Sequence, residues 1–378
     1  MSARVRRVEA IPLRYALAET ERYGSSRGLV SARETTLVRI ETSDGAVGWG
    51  EAFGPTAVLV PLVNEAASAV IDAALDAPAP LVSSLLQGHY HWGAGLYAAA
   101  VSGIEIALWD VLGRSLGVSV STLLGGRARE YVTPYASCGY VKPDRDIGRF
   151  VADLERDSDG MAGAKIKCGL GVAEDRMRSE AARTVLGPAR SLMVDFNGNY
   201  TADESMLSMH AISDLNVAWV EEPLAPEDVA GLRLLRLLGQ PLATGEALYT
   251  RSPFRALITE RLVDFVQPDV TKVGGLAEAK TICEIARSWG VRVTPHVWGG
   301  GIALAAAVQL LGSIPDYPHT DFVPEPLWLE FDRGDSALRE NLLSEPFHLE
   351  AGLIRVPNGS GLGVDVDELA VERLREDR

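Results

Sequence analysis

Six short polar signatures recur along the middle of the chain at the interval of one strand plus one helix. They are Lys165-Ile166-Lys167, Asp195-Phe196-Asn197, Glu221-Glu222, Glu246, Asp269 and His296, with successive signatures 23 to 28 residues apart. If each ends a barrel strand, all six converge on one mouth. Asp195, Glu221 and Glu246 would then share one space, where three carboxylates repel unless a cation joins them. An all-oxygen set with positions open for substrate suits Mg2+, with Mn2+ as a substitute, better than zinc, which favours His and Cys. Taken singly, each acid serves as well as a helix cap or as the partner of a loop lysine. The three together favour a metal.

Lys165 and Lys167 are two apart, so on a strand they point to one side while Ile166 faces the other. Two ammonium groups inside a barrel are expected to depress each other's pKa, and burial to lower it further, which makes a lysine a base near neutral pH. A solvated edge pair is the competing reading, against which Ala162, Ala164 and Ile166 indicate a covered strand. Asp269 and His296 end adjacent strands. A carboxylate that orients an imidazole and raises its pKa makes an acid/base pair, whereas a lone histidine is more often structural.

These side chains need a scaffold, and the rest of the sequence supplies one. The 378 residues hold 47% hydrophobic and 23% charged residues, ordinary for a folded protein with one large barrel and a smaller unit. The first 128 residues read as mixed α+β. Strands are predicted over 5–13, 35–41 and 46–51, the last two flanking the Asp44-Gly45 turn, and helices over 57–75 and 97–116. From 131 onward, eight short apolar runs alternate with amphipathic ones: 133–139, 162–167, 192–195, 218–221, 242–245, 264–267, 292–294 and 328–331. That alternation predicts a parallel α/β fold closed into a barrel. A doubly wound open sheet is the rival, but the glycine-rich phosphate turn it needs after its first strand is missing. The segment after Glu345 returns to β-like alternation and is expected to pack back on the N-terminal unit. The predicted divisions are 1–128, 129–344 and 345–378.

A net charge of −15 and a pI near 4.9 argue against nucleic-acid and anionic-membrane partners. An anionic substrate therefore needs local cations. The three cysteines lack metal-ligand spacing and read as reduced thiols of a cytosolic protein. The apolar stretch 302–311 is about half a membrane span, and the first 13 residues lack a signal-peptide core. A soluble, cytoplasmic protein is expected.

With these positions in hand, the chain resembles the enolase superfamily, in its mandelate racemase subgroup, over nearly its whole length. The resemblance rests on Gly48-Trp49-Gly50-Glu51, Ile106-Ala107-Leu108-Trp109-Asp110, Leu124-Gly125-Gly126, the six signatures above, Gly274-Gly275, Pro295-His296-Val297-Trp298-Gly299 and Leu329-Glu330-Phe331-Asp332. The muconate-cycloisomerase subgroup would carry a lysine where Asp269 stands, and Lys272 sits three residues too late. The resemblance implies a (β/α)7β TIM-like barrel under an α+β capping domain built from the N-terminal region and the C-terminal tail. It implies Mg2+ on Asp195, Glu221 and Glu246, Lys167 as one base and the Asp269–His296 dyad on the opposite face. Lys165 would neutralise the substrate carboxylate, Asn197 would contact substrate, and Glu330, protonated if it donates, would bond the developing enediolate. Glu325 is a rival for that last role.

Specificity is expected from cap loops 15–28 and 51–56, where Arg22 and Arg27 would meet a distal carboxylate or remain solvated. The implied reaction on a small-molecule carboxylate is dehydration of an acid sugar to a 2-keto-3-deoxy acid. Lactone cycloisomerisation, of the galactarolactone kind, and racemisation begin with the same proton abstraction. A non-catalytic barrel scaffold would be expected to have lost one of the six signatures, and none is lost. A metal-dependent aldolase or decarboxylase gives no reason for bases on two opposed strands. A homo-oligomer is expected.

Overall fold

The computed structural model describes residues 3–88, 93–316 and 326–376. Its N-terminal unit runs β1 (Val5–Ala16), β2 (Tyr23–Ser25), β3 (Gly28–Val30), β4 (Ala32–Thr42), β5 (Val47–Ala52), α1 (Thr56–Ala67), α2 (Pro78–Gly88), α3 (Leu96–Leu116) and α4 (Val120–Leu123). Strands β1, β4 and β5 form one antiparallel sheet, and β2 with β3 a separate hairpin. Helix α3 crosses the sheet so closely that β5 must be glycine at the crossing. A Cβ on Gly50 would stand 1.9 Å from the Gly103 carbonyl oxygen, and one on Gly48 2.4 Å from that of Ala107. By length and composition α3 is apolar enough to span a bilayer, yet 83% of its apolar window is buried in the protein, where it forms the core of this unit.

The helix predicted over 57–75 stops at Ala67. Beyond it the chain pairs with the start of β1: Val5 N donates to Ala73 O, and Leu75 N to Ala3 O, each at 3.0 Å. Val70 and Leu75 are buried there, so strand-edge hydrogen bonds outweigh the helical spacing of the same apolar residues.

The barrel follows as β6 (Tyr131–Cys138), α5 (Ile147–Asp157), β7 (Gly163–Lys167), α6 (Val172–Leu186), β8 (Ser191–Asp195), α7 (Ala202–Ala211), β9 (Val217–Glu221), α8 (Val229–Leu235), β10 (Leu242–Thr244), α9 (Arg251–Thr259), β11 (Phe265–Val266), α10 (Leu276–Ser288), β12 (Arg292–Val293), α11 (Gly301–Gly312) and β13 (Trp328–Asp332). Eight strands and seven helices alternate, and the strands lie parallel in the order β12-β11-β10-β9-β8-β7-β6-β13. The sheet is nearly closed. Across the seam between β12 and β13, Thr294 Oγ1 donates to Trp328 O at 3.3 Å and Val297 N to Glu330 Oε2 at 2.9 Å. Tyr135, Met193, Trp219, Ala243, Phe265 and Trp328, one from each of six strands, fill the interior as one apolar cluster, so the barrel is a packed core and its chemistry is confined to the strand ends.

The chain ends with α12 (Ala337–Glu340), β14 (Ile354–Arg355) and α13 (Glu368–Leu374). Strand β14 pairs antiparallel with β6 of the barrel, and farther on Glu376 N donates to Pro12 O of β1 at 3.0 Å. The tail thus touches both units.

Two buried carboxylates of the N-terminal unit cap barrel helices. Glu51 accepts from Gly300 N at 2.6 Å and Ala303 N at 2.8 Å at the start of α11, and Glu105 accepts from Leu276 N at 2.6 Å and Ala277 N at 3.0 Å at the start of α10. Each meets the unpaired N–H groups and positive end of a helix. Replacing Glu51 with Ala orphans these buried donors, which should cost about 1–3 kcal/mol. The urea midpoint should fall accordingly, and an unchanged midpoint would show that this contact does not hold the two units together.

Candidate functional site

Strand register places the first functional side chains. Lys167 on β7 lies beside Asp195 on β8, which lies beside Glu221 on β9. Glu246 follows the end of β10, and one oxygen each of Asp195, Glu221 and Glu246 lies within 4.8 Å of the others. Asp195 and Glu221 are fully buried. The chain turns sharply just past two of these acids, with φ +50 at Asn197 and φ +42 at Glu222. Non-glycine residues held in the left-handed region tend to cluster at functional sites. Glu222 itself is buried and accepts from Thr244 Oγ1 at 2.5 Å and Gly245 N at 3.1 Å, which ties the ends of β9 and β10 together.

This donor set can hold a metal ion. Glu246 Oε2 is buried with no hydrogen-bond partner, its nearest cation being His296 Nε2 at 3.5 Å. An unsatisfied buried carboxylate oxygen facing two further acids is a ligand position for a hard cation.

Both lysines of β7 point into this group, as expected from their spacing, but their proton affinity runs opposite to expectation. Lys165 contacts Glu221 Oε1 and lies 2.7 Å from Glu330 Oε1, and Lys167 lies 2.6 Å from Asp195 Oδ2. Burial alone would lower both pKa values. Glu221 and Glu330 around Lys165, and Asp195 beside Lys167, outweigh it and raise both above the usual lysine range. In sequence the two ammonium groups stand only against each other, whereas in the fold each meets a carboxylate first.

On the other side of the mouth His296 Nδ1 lies 2.7 Å from Asp269 Oδ2, and Asp269 Oδ1 accepts from Thr271 N and Oγ1 at 2.8 and 2.5 Å. Burial would lower the imidazole pKa, but Glu246, Glu330 and Asp269 together raise it to about 9 when no cation offsets the charge of Glu246. Glu330 also departs from expectation. Burial would raise its pKa, yet Lys165, His296 and Lys167 pull it down to about 2. It is therefore a carboxylate, without the proton a hydrogen-bond donor needs, and it accepts from Lys165 and from Val297 N. Glu325 lies outside the described residues.

A cavity of 320 Å3 is lined by Lys167, Glu246 and His296 from the barrel and by Arg27, Leu29 and Phe53 from the N-terminal unit. Asn197 lines it too, with its Oδ1 buried and unpartnered. Arg27 is fixed by the same turn, its Nε donating to Asn197 O at 2.5 Å and an Nη to Gly198 O at 2.8 Å. Arg22 is not brought into this cavity. It lies 3.9 Å from Glu19 in its own loop. A larger cavity of 710 Å3, beside α2 and α10, carries the mutually neutralised pair Arg251–Glu278 and none of the groups above.

Three residues of the wall carry no role that is legible in the sequence. Tyr140 donates to Asp332 Oδ1 at 2.6 Å and accepts from Trp298 Nε1 at 2.9 Å, so two aromatic faces are locked together. Trp298 stood in the quoted Pro295–Gly299 motif, whereas Tyr140, a lone aromatic after a glycine, gave no signal. Lys272, set aside as a base, lines the same cavity and donates to Glu246 O at 2.6 Å.

Residues 17–125 match the mandelate racemase/muconate lactonizing enzyme N-terminal domain, and residues 149–370 the enolase C-terminal domain-like family. The chain is 35% identical over 348 residues to a D-galactarolactone cycloisomerase of Agrobacterium fabrum, covering 91% of this chain and 92% of that one. It is 30% identical over 346 residues to a D-galactonate dehydratase of Variovorax paradoxus, covering 88% of each. The crystal structure of a 3,6-anhydro-D-galactonate cycloisomerase from Zobellia galactanivorans superposes with a TM-score of 0.88 at 31% identity, over 99% of this chain and 100% of that one. The chain therefore belongs to the mandelate racemase/muconate lactonizing enzyme family of the enolase superfamily, a family of enzymes with dehydratase and cycloisomerase members.

Proposed function

We propose that this enzyme removes the proton next to the carboxylate of an acid sugar and expels the oxygen on the β-carbon, with Mg2+ held by Asp195, Glu221 and Glu246. The observation that carries this reading is the convergence of those three acids, Lys167 and the Asp269–His296 pair on one cavity. Bound there, the cation would supply positive charge to the substrate carboxylate and take up the negative charge with which Asp195 and Glu221 hold the lysine protons. Lys167, buried at the strand end, then acts as the base. Lys165 stands beside Glu221 and Glu330, where its ammonium offsets charge developing on the carboxylate oxygens. His296, carrying a proton, donates to the departing oxygen, and Asp269 holds the ring in line. Glu330 keeps Lys165 and the loop after β12 in register across the seam.

The sequence alone favours a free hydroxyl as the leaving group, that is, dehydration. The relatives shift the proposal to a ring oxygen: the likenesses at 35% and 31% identity are named for cycloisomerisation, that at 30% for dehydration. In the cyclic case the Cα–H and Cβ–O bonds break, the ring opens onto its own oxygen, and the enol settles to a keto acid without loss of water.

Product mass separates the two outcomes. Aldarate lactones and anhydro-aldonates should give a keto acid isomeric with the substrate, carrying one solvent deuteron at the new methylene when the reaction runs in D2O. A product lighter by water, formed only from open-chain acids, would return the assignment to a dehydratase. Inversion at the α-carbon with no keto acid would make it a racemase.

A further inference from the structure

We propose that Arg178, on α6 outside the barrel wall, is a positioning residue for Lys167, an inference that rests on Lys167 being a base. Its Nε donates to Lys167 O at 2.9 Å, and one Nη donates to Gly139 O at 2.5 Å and Tyr140 O at 3.4 Å. The guanidinium carbon sits 4.2 Å from the centre of the Phe150 ring. The side chain is 4% exposed, and these hydrogen-bond partners are neutral carbonyls. A buried cation spent on backbone oxygens is expensive, and the nearby carboxylates of Glu174 and Asp175 repay only part of its lost hydration. Burial accordingly pulls its pKa below the usual arginine value.

Lys167 is the last residue of β7, and Gly139 and Tyr140 are the first two after β6, where both strands open onto the active-site mouth. The bond between the two strands there, Lys167 N to Gly139 O, is long at 3.3 Å. Arg178 closes that seam from behind with a planar fork that no other side chain offers. The same group holds the carbonyl of Tyr140, whose ring centre is 5.9 Å from Lys167 Nζ. One guanidinium thus fixes both the base and the aromatic wall beside it.

The test uses the full-length enzyme with saturating Mg2+. Arg178→Lys keeps the charge and loses the fork, and Arg178→Met keeps the stem over Phe150 and loses every donor. Arg183→Met is the control. Arg183 lies on the same helix but donates to Leu215 O, Gly187 O, Arg190 O and Asn216 O, near the start of β8 and β9 and away from the mouth. The readouts are thermal melting and solvent exchange of the α-proton with a pair of α-epimeric acid sugars, one turning its single α-proton to Lys167 and the other to His296.

Both Arg178 variants should slow exchange on the Lys167 face by about 100-fold, the cost of an ångström of misplacement, with KM and the His296 face unchanged. Arg183→Met should lower the melting temperature without selecting a face. Equal slowing of both faces, or wild-type exchange in Arg178→Lys, would overturn the proposal. If the wild-type enzyme exchanges no α-proton of any acid sugar, the functional reading falls, and crystal structures decide the positioning claim. Lys167 displaced in Arg178→Lys relative to wild type supports it, and Lys167 unmoved overturns it.

Discussion

Lys167→Met and His296→Asn should each lower kcat by roughly 10²–10⁴-fold, the contribution of a positioned acid or base, while the protein stays folded. Both residues line the cavity but on separate strand ends, Lys167 closing β7 and His296 following β12. Each is held by its own carboxylate, Asp195 for the lysine and Asp269 for the imidazole. Neither substitution therefore disturbs the partner of the other. The losses should differ in kind. Without Lys167 the α-proton on its face stays in place, and exchange persists only in the epimer that turns its α-proton to His296. Without His296 the proton on the Lys167 face still exchanges, but the β-oxygen leaves unassisted and keto acid ceases to accumulate. Deuterium exchange and product formation, followed together by NMR, check this. Near-wild-type rates in both variants would remove the two residues from the chemistry.

Glu246→Gln should abolish metal-dependent activity and weaken Mg2+ binding by at least the roughly 100-fold that changes in outer partners of a metal site already cost. Glu246 is the informative ligand to replace because its Oε2 has no hydrogen-bond partner in the protein, so the amide breaks no hydrogen bond there, although it also removes a carboxylate charge 3.5 Å from His296 Nε2. Glu221, by contrast, accepts from Lys165, Trp219 and Gln267, and its loss would unsettle the barrel interior. Binding itself gives a readout separate from turnover. Mg2+ at about 100 times its Kd should stabilise the wild-type fold by about 2.7 kcal/mol, and Glu246→Gln should lose that increment. An equal thermal shift in both proteins would place the ion elsewhere.

The positions of these groups are written in the sequence because the fold repeats. A parallel barrel turns a spacing of one β/α unit into adjacency, so Lys167, Asp195 and Glu221 fall into one row of the register. The charge states are not written there. Lys165 and Lys167 as a pair suggest lowered pKa values, and only the fold shows that Glu221 and Glu330 act on Lys165, and Asp195 on Lys167, more strongly than the other ammonium does. Glu330 illustrates the same limit, since three cations converge on it from β7 and the loop after β12. Arg22 and Arg27 are five residues apart in one loop, and which of them meets the barrel depends on where the hairpin of β2 and β3 docks. That docking is a mutual pair of 2.9 Å hydrogen bonds between Gly24 and Val141, which no local pattern signals. Arg178 was invisible for a similar reason, being one of several arginines on an amphipathic helix until its partners are seen.

The most direct measurement is α-proton exchange by the wild-type enzyme in D2O, with acid sugars and their lactones as substrates, in the presence of Mg2+ and again after chelation. Solvent deuterium should be incorporated, incorporation should stop on chelation and return with Mg2+, and it should be absent from the Lys167→Met/His296→Asn double variant. Exchange that survives chelation, or persists in the double variant, would contradict the proposed mechanism.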